Sequence, residues 1–140
     1  MKKIVFVCLG NICRSPMAEF VMKSLTDQLK IESRATSSWE HGNPIHRGTQ
    51  AIFKKYAIAY DRNKTSQQIS AADFADFDYV IRMDESNVRD LKRMAPEDFQ
   101  HKIYQFEEES VPDPWYTNDF DETYRLVQAG CERWLERLDG

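Results

Sequence analysis

The sequence predicts an α/β fold, a three-layer αβα sandwich around a central, four-stranded parallel sheet. Three observations predict it. Short β-branched and aromatic runs alternate with longer amphipathic stretches, the pattern of βα units packed on a parallel sheet. The C-terminal stretch carries Phe120, Tyr124, Val127, Cys131, Trp134 and Leu138 at helical spacing with charges between them. The first apolar run stops abruptly at Gly10-Asn11 and gives way to a capped helix, so a loop leaves the carboxyl end of a strand, where such sheets bind ligands.

Taken in order, Lys3 to Val7 reads as a buried first strand, and Gly10-Asn11 breaks it with the two residue types that tolerate left-handed backbone angles. Ser15 is expected as an N-cap and Pro16 as the first helical residue, ahead of an apolar face of Ala18, Val21, Met22, Leu25 and Leu29. Glu32 to Ser37 is the second strand. A polar loop with Trp39, Gly42 and Pro44 leads to a helix over Thr49 to Tyr56. Ser70-Ala-Ala-Asp73 opens a short capped helix, Phe77 to Met83 is the third strand, and Asp84 caps a helix that ends before Pro96. Lys102 to Phe106 is the fourth strand, the acidic run Glu107-Glu108-Glu109 a solvated loop, and the C-terminal helix places Cys131 in the core.

The chain has 140 residues, enough for one domain spanning residues 1–140, and no Pro/Gly/Ser-rich linker divides it. A net charge of −4 argues against nucleic acid or an anionic membrane as partner. The start, Met-Lys-Lys before Ile4 to Leu9, lacks the length and cleavage site of a signal peptide and is expected to be a strand. No apolar run reaches membrane-spanning length, and three cysteines give no disulfide framework, so a soluble protein of the cytoplasm is expected. His41, His46 and His101 stand singly, without metal-ligand spacing, so no metal and no cofactor are implied.

The chemistry concentrates in Cys8-Leu9-Gly10-Asn11-Ile12-Cys13-Arg14-Ser15. A loop wrapped over a helix N-terminus aims backbone N–H groups at one point, which favours an anion there and a thiolate at Cys8. Arg14 adds a planar fork of donors for two phosphate oxygens. Cys8 is thereby a nucleophile in a phosphate cradle. A phenolate leaving group has a conjugate-acid pKa of about 10 and needs a proton to depart well, so an aryl phosphate calls for a general acid. Asp113, stiffened by Pro112 and Pro114, is the candidate; Trp115 and Tyr116 beside it offer a face for an aromatic substrate, and Trp39 an opposite wall.

These segments resemble the low-molecular-weight protein tyrosine phosphatases over essentially the whole chain: the Cys8 to Ser15 loop, Ser37-Ser-Trp-Glu-His-Gly-Asn-Pro44, Asp78-Tyr-Val-Ile-Arg-Met-Asp84 and Asp113-Pro-Trp-Tyr116 occur in the family's order, closest to its bacterial branch in low-GC Gram-positive species. The resemblance implies a flavodoxin-like, phosphotyrosine phosphatase I-like fold. It implies that Cys8 attacks phosphorus, Arg14 binds the phosphoryl oxygens together with the loop from Leu9 to Ser15, Asp113 acts as acid and then base, Ser15 donates to the Cys8 sulfur and Asn11, braced by Ser33, holds the loop in shape. It also implies that Cys13 forms a reversible disulfide with Cys8, that tyrosine-phosphorylated proteins are the substrates, that Tyr116 is a possible target of a tyrosine kinase, and that the protein is a monomer or weak homodimer. The chain departs from relatives at Ser66-Gln67-Gln68, where many carry Ala-Arg-Gln, near Lys64, where animal relatives have a bracing histidine, and at Trp115, where tyrosine is frequent.

Two rivals share these residues. A protein phosphoarginine phosphatase uses the same loop and acid on another side chain; Trp39, Trp115 and Tyr116 favour an aryl group. A thioredoxin-coupled arsenate reductase needs further thiols, and outside the loop the chain has only Cys131.

Overall fold

The computed structural model describes residues 1–108 and 110–139; Glu109 of the acidic run and Gly140 lie outside them. Four strands, β1 (Lys2–Cys8), β2 (Leu29–Ala35), β3 (Tyr79–Arg82) and β4 (Ile103–Gln105), form one parallel sheet in the order β2-β1-β3-β4. Helices α1 (Arg14–Leu25), α2 (Arg47–Lys55), α3 (Ala71–Asp76), α4 (Ser86–Met94), α5 (Pro114–Thr117) and α6 (Phe120–Asp139) connect and cover it, with a 3₁₀ turn over Glu97–Lys102.

Parallel strands need crossovers that cover both sheet faces, so a central strand becomes an unbroken apolar run. In β1, Ile4, Val5, Phe6 and Val7 are all fully buried. The two-residue alternation sends Ile4, Phe6 and Cys8 into one core, with Met17 and Val21 of α1, Phe53 of α2 and Val127, Cys131 and Trp134 of α6. Val5 and Val7 enter the other, with Phe74 of α3 and Leu91 of α4. Cys131 is fully buried with its Sγ 3.7 Å from the Ala18 carbonyl, as the helical period of α6 predicts, and the Trp134 indole donates to the Phe106 carbonyl at 2.9 Å.

Local readings hold where the signal is local. The Ser70 capping box is formed, with Ser70 Oγ accepting from Asp73 N–H and the Asp73 carboxylate accepting from Ser70 N–H. Several readings need correction. Ser15 is not the N-cap of α1: the helix begins at Arg14 behind Cys13, and the Ser15 hydroxyl is turned to the loop. Leu29 does not extend the α1 face, because Thr26 is extended and Leu29 opens β2, which ends at Ala35 rather than Ser37. The second helix starts at Arg47, earlier than the apolar period implies, because the His46 side chain caps it by accepting from Gly48 N–H. Asp84 lies one residue ahead of the assigned cap of α4, yet still accepts from Asn87 N–H at 3.2 Å.

Gly130, buried within α6, faces the Phe106 ring with no room for a Cβ, and that ring packs edge-on against Phe6 with centroids 5.9 Å apart. A helical Gly→Ala change ordinarily gains up to about 1 kcal/mol. Here the methyl must displace a core ring, and overpacking of about 1–3 kcal/mol outweighs that gain, so Gly130→Ala should lower the urea midpoint.

Candidate active site

The loop after β1 sits where the sheet's connections diverge: α1 leaves over one face and α4, following β3, over the other, which opens a crevice at the strands' carboxyl ends. The backbone there is fixed from outside. The Cys8 carbonyl accepts from Thr36 N–H at 3.0 Å, Leu9 from Ser37 N–H at 3.2 Å and Ser37 Oγ at 2.8 Å, Gly10 from Ser66 Oγ at 2.7 Å, and Ile12 from His46 N–H at 2.8 Å. Cys13 accepts from Thr49 Oγ1 at 3.2 Å. In a trans peptide the N–H points opposite its carbonyl, so tethering the carbonyls outward turns the next residues' amides inward, an array suited to an anion. Asn11 N–H points in this way at Cys8 Sγ, 3.3 Å away.

Asn11 takes the left-handed conformation (φ 56°), tolerated by asparagine, whereas Gly10 does not; a Cβ on Gly10 would meet Glu40 Cγ at 3.4 Å. The Asn11 amide uses its whole side chain. Nδ2 donates to Ser15 Oγ at 2.8 Å and Ser33 Oγ at 2.9 Å, and Oδ1 accepts from Gln67 N–H at 3.2 Å. Ser33 Oγ in turn donates a hydrogen bond to Glu19 Oε1 at 2.5 Å. Glu19, although 2% exposed, is neutralised by Lys23 at 2.7 Å and Lys64 at 3.5 Å, and Lys64 also donates to the Ser33 carbonyl at 2.9 Å. Burial pulls the Lys64 ammonium below its ordinary range, with Glu19 pulling the other way. Lys64 and Ser66 therefore brace the loop at two of the positions where the chain departs from its relatives. Ser15 Oγ accepts from Asn11 and has its own proton to share between Cys8 Sγ at 3.1 Å and the Arg34 carbonyl at 3.4 Å.

Arg14 is 2% exposed. Its Nη1 donates to Asp84 Oδ2 and to the Val111 carbonyl at 2.9 Å, and Nη2 lies 3.4 Å from Asp113 Oδ2. Burial opposes its charge, but Cys8, Asp84 and Asp113 together hold the guanidinium above its ordinary value. Asp113 caps α5, its Oδ1 accepting from Trp115 N–H at 3.0 Å, which leaves Oδ2 facing the arginine. The Cys13 thiol is pushed up, first by burial and then by the charges of Cys8 and Asp113.

A cavity of about 230 Å³ lies above the loop. It is lined by Cys8, Leu9, Gly10, Asn11, Ile12, Cys13, Arg14, Asp113, Trp39, Trp115 and Tyr116, all nominated from the sequence; Ser15 lies buried behind the sulfur instead. Trp39 is 79% exposed, Trp115 56% and Tyr116 79%, so the aromatic rim faces solvent rather than the core. Sequence reasoning missed Ser37 and Glu40, which also line the cavity, and Asp84 as the partner of Arg14. Glu40 follows Trp39 directly, a neighbour signal that could have found it. The Arg14–Asp84 pair joins the start of α1 to the turn after β3 and leaves no local trace.

Comparison with known proteins agrees with this geometry. The family described as low molecular weight phosphotyrosine protein phosphatase matches residues 3–140. The low molecular weight protein-tyrosine-phosphatase PtpA of Staphylococcus epidermidis is 42% identical over 149 aligned residues, covering 99% of this chain and 94% of PtpA. The crystal structure of SP-PTP, the low molecular weight protein tyrosine phosphatase of Streptococcus pyogenes, superposes with a TM-score of 0.96 at 64% identity, covering 99% of this chain and 93% of that one. That of DARP, a Drosophila arginine phosphatase, superposes with a TM-score of 0.89 at 32% identity, covering 100% of this chain and 99% of that one. The chain belongs to the low molecular weight phosphotyrosine protein phosphatase family.

Proposed function

We propose that this protein hydrolyses phosphotyrosine in proteins, and small aryl phosphates, through a cysteinyl-phosphate intermediate. The observation that carries the reading is the convergence of Cys8, Arg14 and Asp113 on one cavity rimmed by three exposed aromatic side chains. In the first step the Cys8 sulfur, as thiolate, forms a bond to phosphorus while the bond from phosphorus to the phenolic oxygen breaks, and the Asp113 proton passes to that oxygen. In the second, Asp113 takes a proton from water as the water oxygen attacks phosphorus and the S–P bond breaks, releasing phosphate. Arg14 and the inward amides stabilise the equatorial oxygens in both steps. The Cys8–Arg14 loop, Ser15, Asp113 and the walls Trp39, Trp115 and Tyr116 are the site residues of one catalytic domain spanning the chain. Tyrosine-phosphorylated proteins are its substrates. Its working place is the cytoplasm, where it acts as a monomer or weak homodimer; exposed Tyr116 is open to a tyrosine kinase.

The phosphoarginine reading has one observation in its favour, the likeness to the Drosophila arginine phosphatase. The aromatic rim favours an aryl group instead, and turnover of phosphoarginine peptides equal to that of phosphotyrosine peptides would reverse the choice. For arsenate reduction the relay thiols are lacking: Cys131, fully buried and pushed up by that burial, is the only cysteine outside the loop.

Cys8→Ser should abolish phosphate release from a phosphotyrosine peptide. Asp113→Asn should lower kcat/KM by about 10²–10⁴-fold, the usual worth of a general acid.

Cys13 lines the same cavity as Cys8, which makes it the candidate resolving thiol; burial and then the Cys8 charge push the Cys13 thiol up, and oxidation of Cys8 removes the second of these. Peroxide oxidises the Cys8 thiolate to sulfenic acid, and the Cys13 thiol displaces water from it to form the disulfide. Activity lost to peroxide should return with a dithiol in the wild type and stay lost in Cys13→Ser.

A further inference from the structure

The acid-bearing segment is weakly anchored to the core. Val111 is buried and donates to the Met83 carbonyl at 3.0 Å, but from Trp115 to Asp119 every residue is exposed, and Asn118 turns the chain through a left-handed conformation (φ 58°). Beyond the Arg14 contacts to Val111 and Asp113 and the buried Pro114, what this segment rests on is His46. The Trp115 ring meets the His46 imidazole edge-on with centroids 5.6 Å apart, and Phe120, which ends the segment, stacks on it at 5.2 Å and an interplanar angle of 18°. Gly48 lies against the same Phe120 ring with no room for a Cβ. The imidazole cannot swing freely, because Nδ1 accepts from Gly48 N–H at 2.9 Å, and the backbone N–H of the same residue donates to the Ile12 carbonyl of the phosphate loop at 2.8 Å. One residue thus touches the nucleophile's loop through its backbone and the acid's segment through two contacts of its ring, one stacked and one edge-on.

We propose that His46 is a positioning residue for general acid catalysis: its ring, held between Trp115 and Phe120, sets the height at which Asp113 stands over the phosphate loop. This rests on the phosphatase reading above. The ring, and not the helix cap, is the part that matters, and two substitutions separate them. His46→Asn keeps a capping oxygen and removes the ring; His46→Phe keeps the ring and removes the cap. The readout is leaving-group dependence. Phenyl phosphate, whose phenol has a pKa of about 10, needs the acid's proton, whereas dinitrophenyl phosphate expels its phenolate without one. A merely structural defect lowers both alike.

The experiment is kcat/KM on both esters for wild type, His46→Asn, His46→Phe and each in the Asp113→Asn background, with folding followed by urea titration; His46→Gln serves as a second ring-less variant. His46→Asn is expected to lose about tenfold on phenyl phosphate and less than about twofold on dinitrophenyl phosphate, a part of the roughly 10²–10⁴-fold that a general acid contributes and a scale that a displacement of about 1 Å explains. His46→Phe should keep the wild-type ratio, and His46→Asn should add nothing once Asp113 is Asn. Equal losses on both esters in the ring-less variants, or a larger selective loss in His46→Phe than in His46→Asn, would overturn the proposal. A wild type that releases phosphate from neither ester would remove the phosphatase reading itself, so the two failures are distinct.

Discussion

Everything at this site depends on where the loop's carbonyls go. Five of the carbonyls from Cys8 to Cys13 are tied to donors on three separate segments: Thr36-Ser37, Ser66, and the first turn of α2 with its cap, through Thr49 and His46. A free loop of this length would satisfy those acceptors with water and present its amides in no fixed direction. Bound outward, the carbonyls leave the amides pointing inward before any ligand arrives, and the reorganisation that an anion would otherwise impose has already been met by folding. This is electrostatic preorganisation built from backbone groups.

A concave array of amides attracts any small anion, so the side chains decide what happens next. Arg14 is held by Asp84 and the Val111 carbonyl through one nitrogen, which leaves its other terminal nitrogen toward the cavity and Asp113. The arrangement suits an arginine because the planar fork makes both sets of contacts from a single fixed plane; a lysine at this depth would be a point charge drawn to Asp84. The buried cation in turn explains how two carboxylates and a reactive sulfur are accommodated together in one crevice: Asp84, Asp113 and Cys8 are each near the same guanidinium. On the far side of the loop the chain Lys64, Glu19, Ser33, Asn11, Ser15 ends on the Cys8 sulfur, so that sulfur is gripped from the protein side while its open side faces the cavity.

The sequence was most legible where cause and effect lie within a few residues. Strand, breaker and helix around Cys8, the Ser70 capping box, the proline-flanked Asp113 and the period of α6 all carry their own signals, and the structure has each in place. It was least legible where a side chain had two suitors. Ser15 has the chemistry of an N-cap, but its hydroxyl is claimed by Asn11 and Cys8, an arrangement that exists only because β2 brings Ser33 beside the loop. Leu29 repeats the spacing of Leu25, and only the extended Thr26 shows that the helix has ended. His46 reads as a lone polar histidine; its cap on Gly48 is local, but its two ring contacts come from a segment that the fold, not the chain, makes a neighbour.

The position of β1 has a consequence for how this protein fails. Cys8 ends a strand that is paired on both edges and covered on both faces, with four successive residues wholly removed from solvent. Strands of this kind open only when the domain unfolds as a whole, since no smaller fluctuation frees them. The catalytic loop therefore inherits the full cooperative stability of the molecule at one end, while the acid segment, exposed from Trp115 to Asp119, belongs to its softer periphery. Under denaturing stress the two halves of the site should part company: hydrogen-exchange protection would fade first around Asp113, leaving a protein whose loop still holds its amides inward after the proposed general acid has come away.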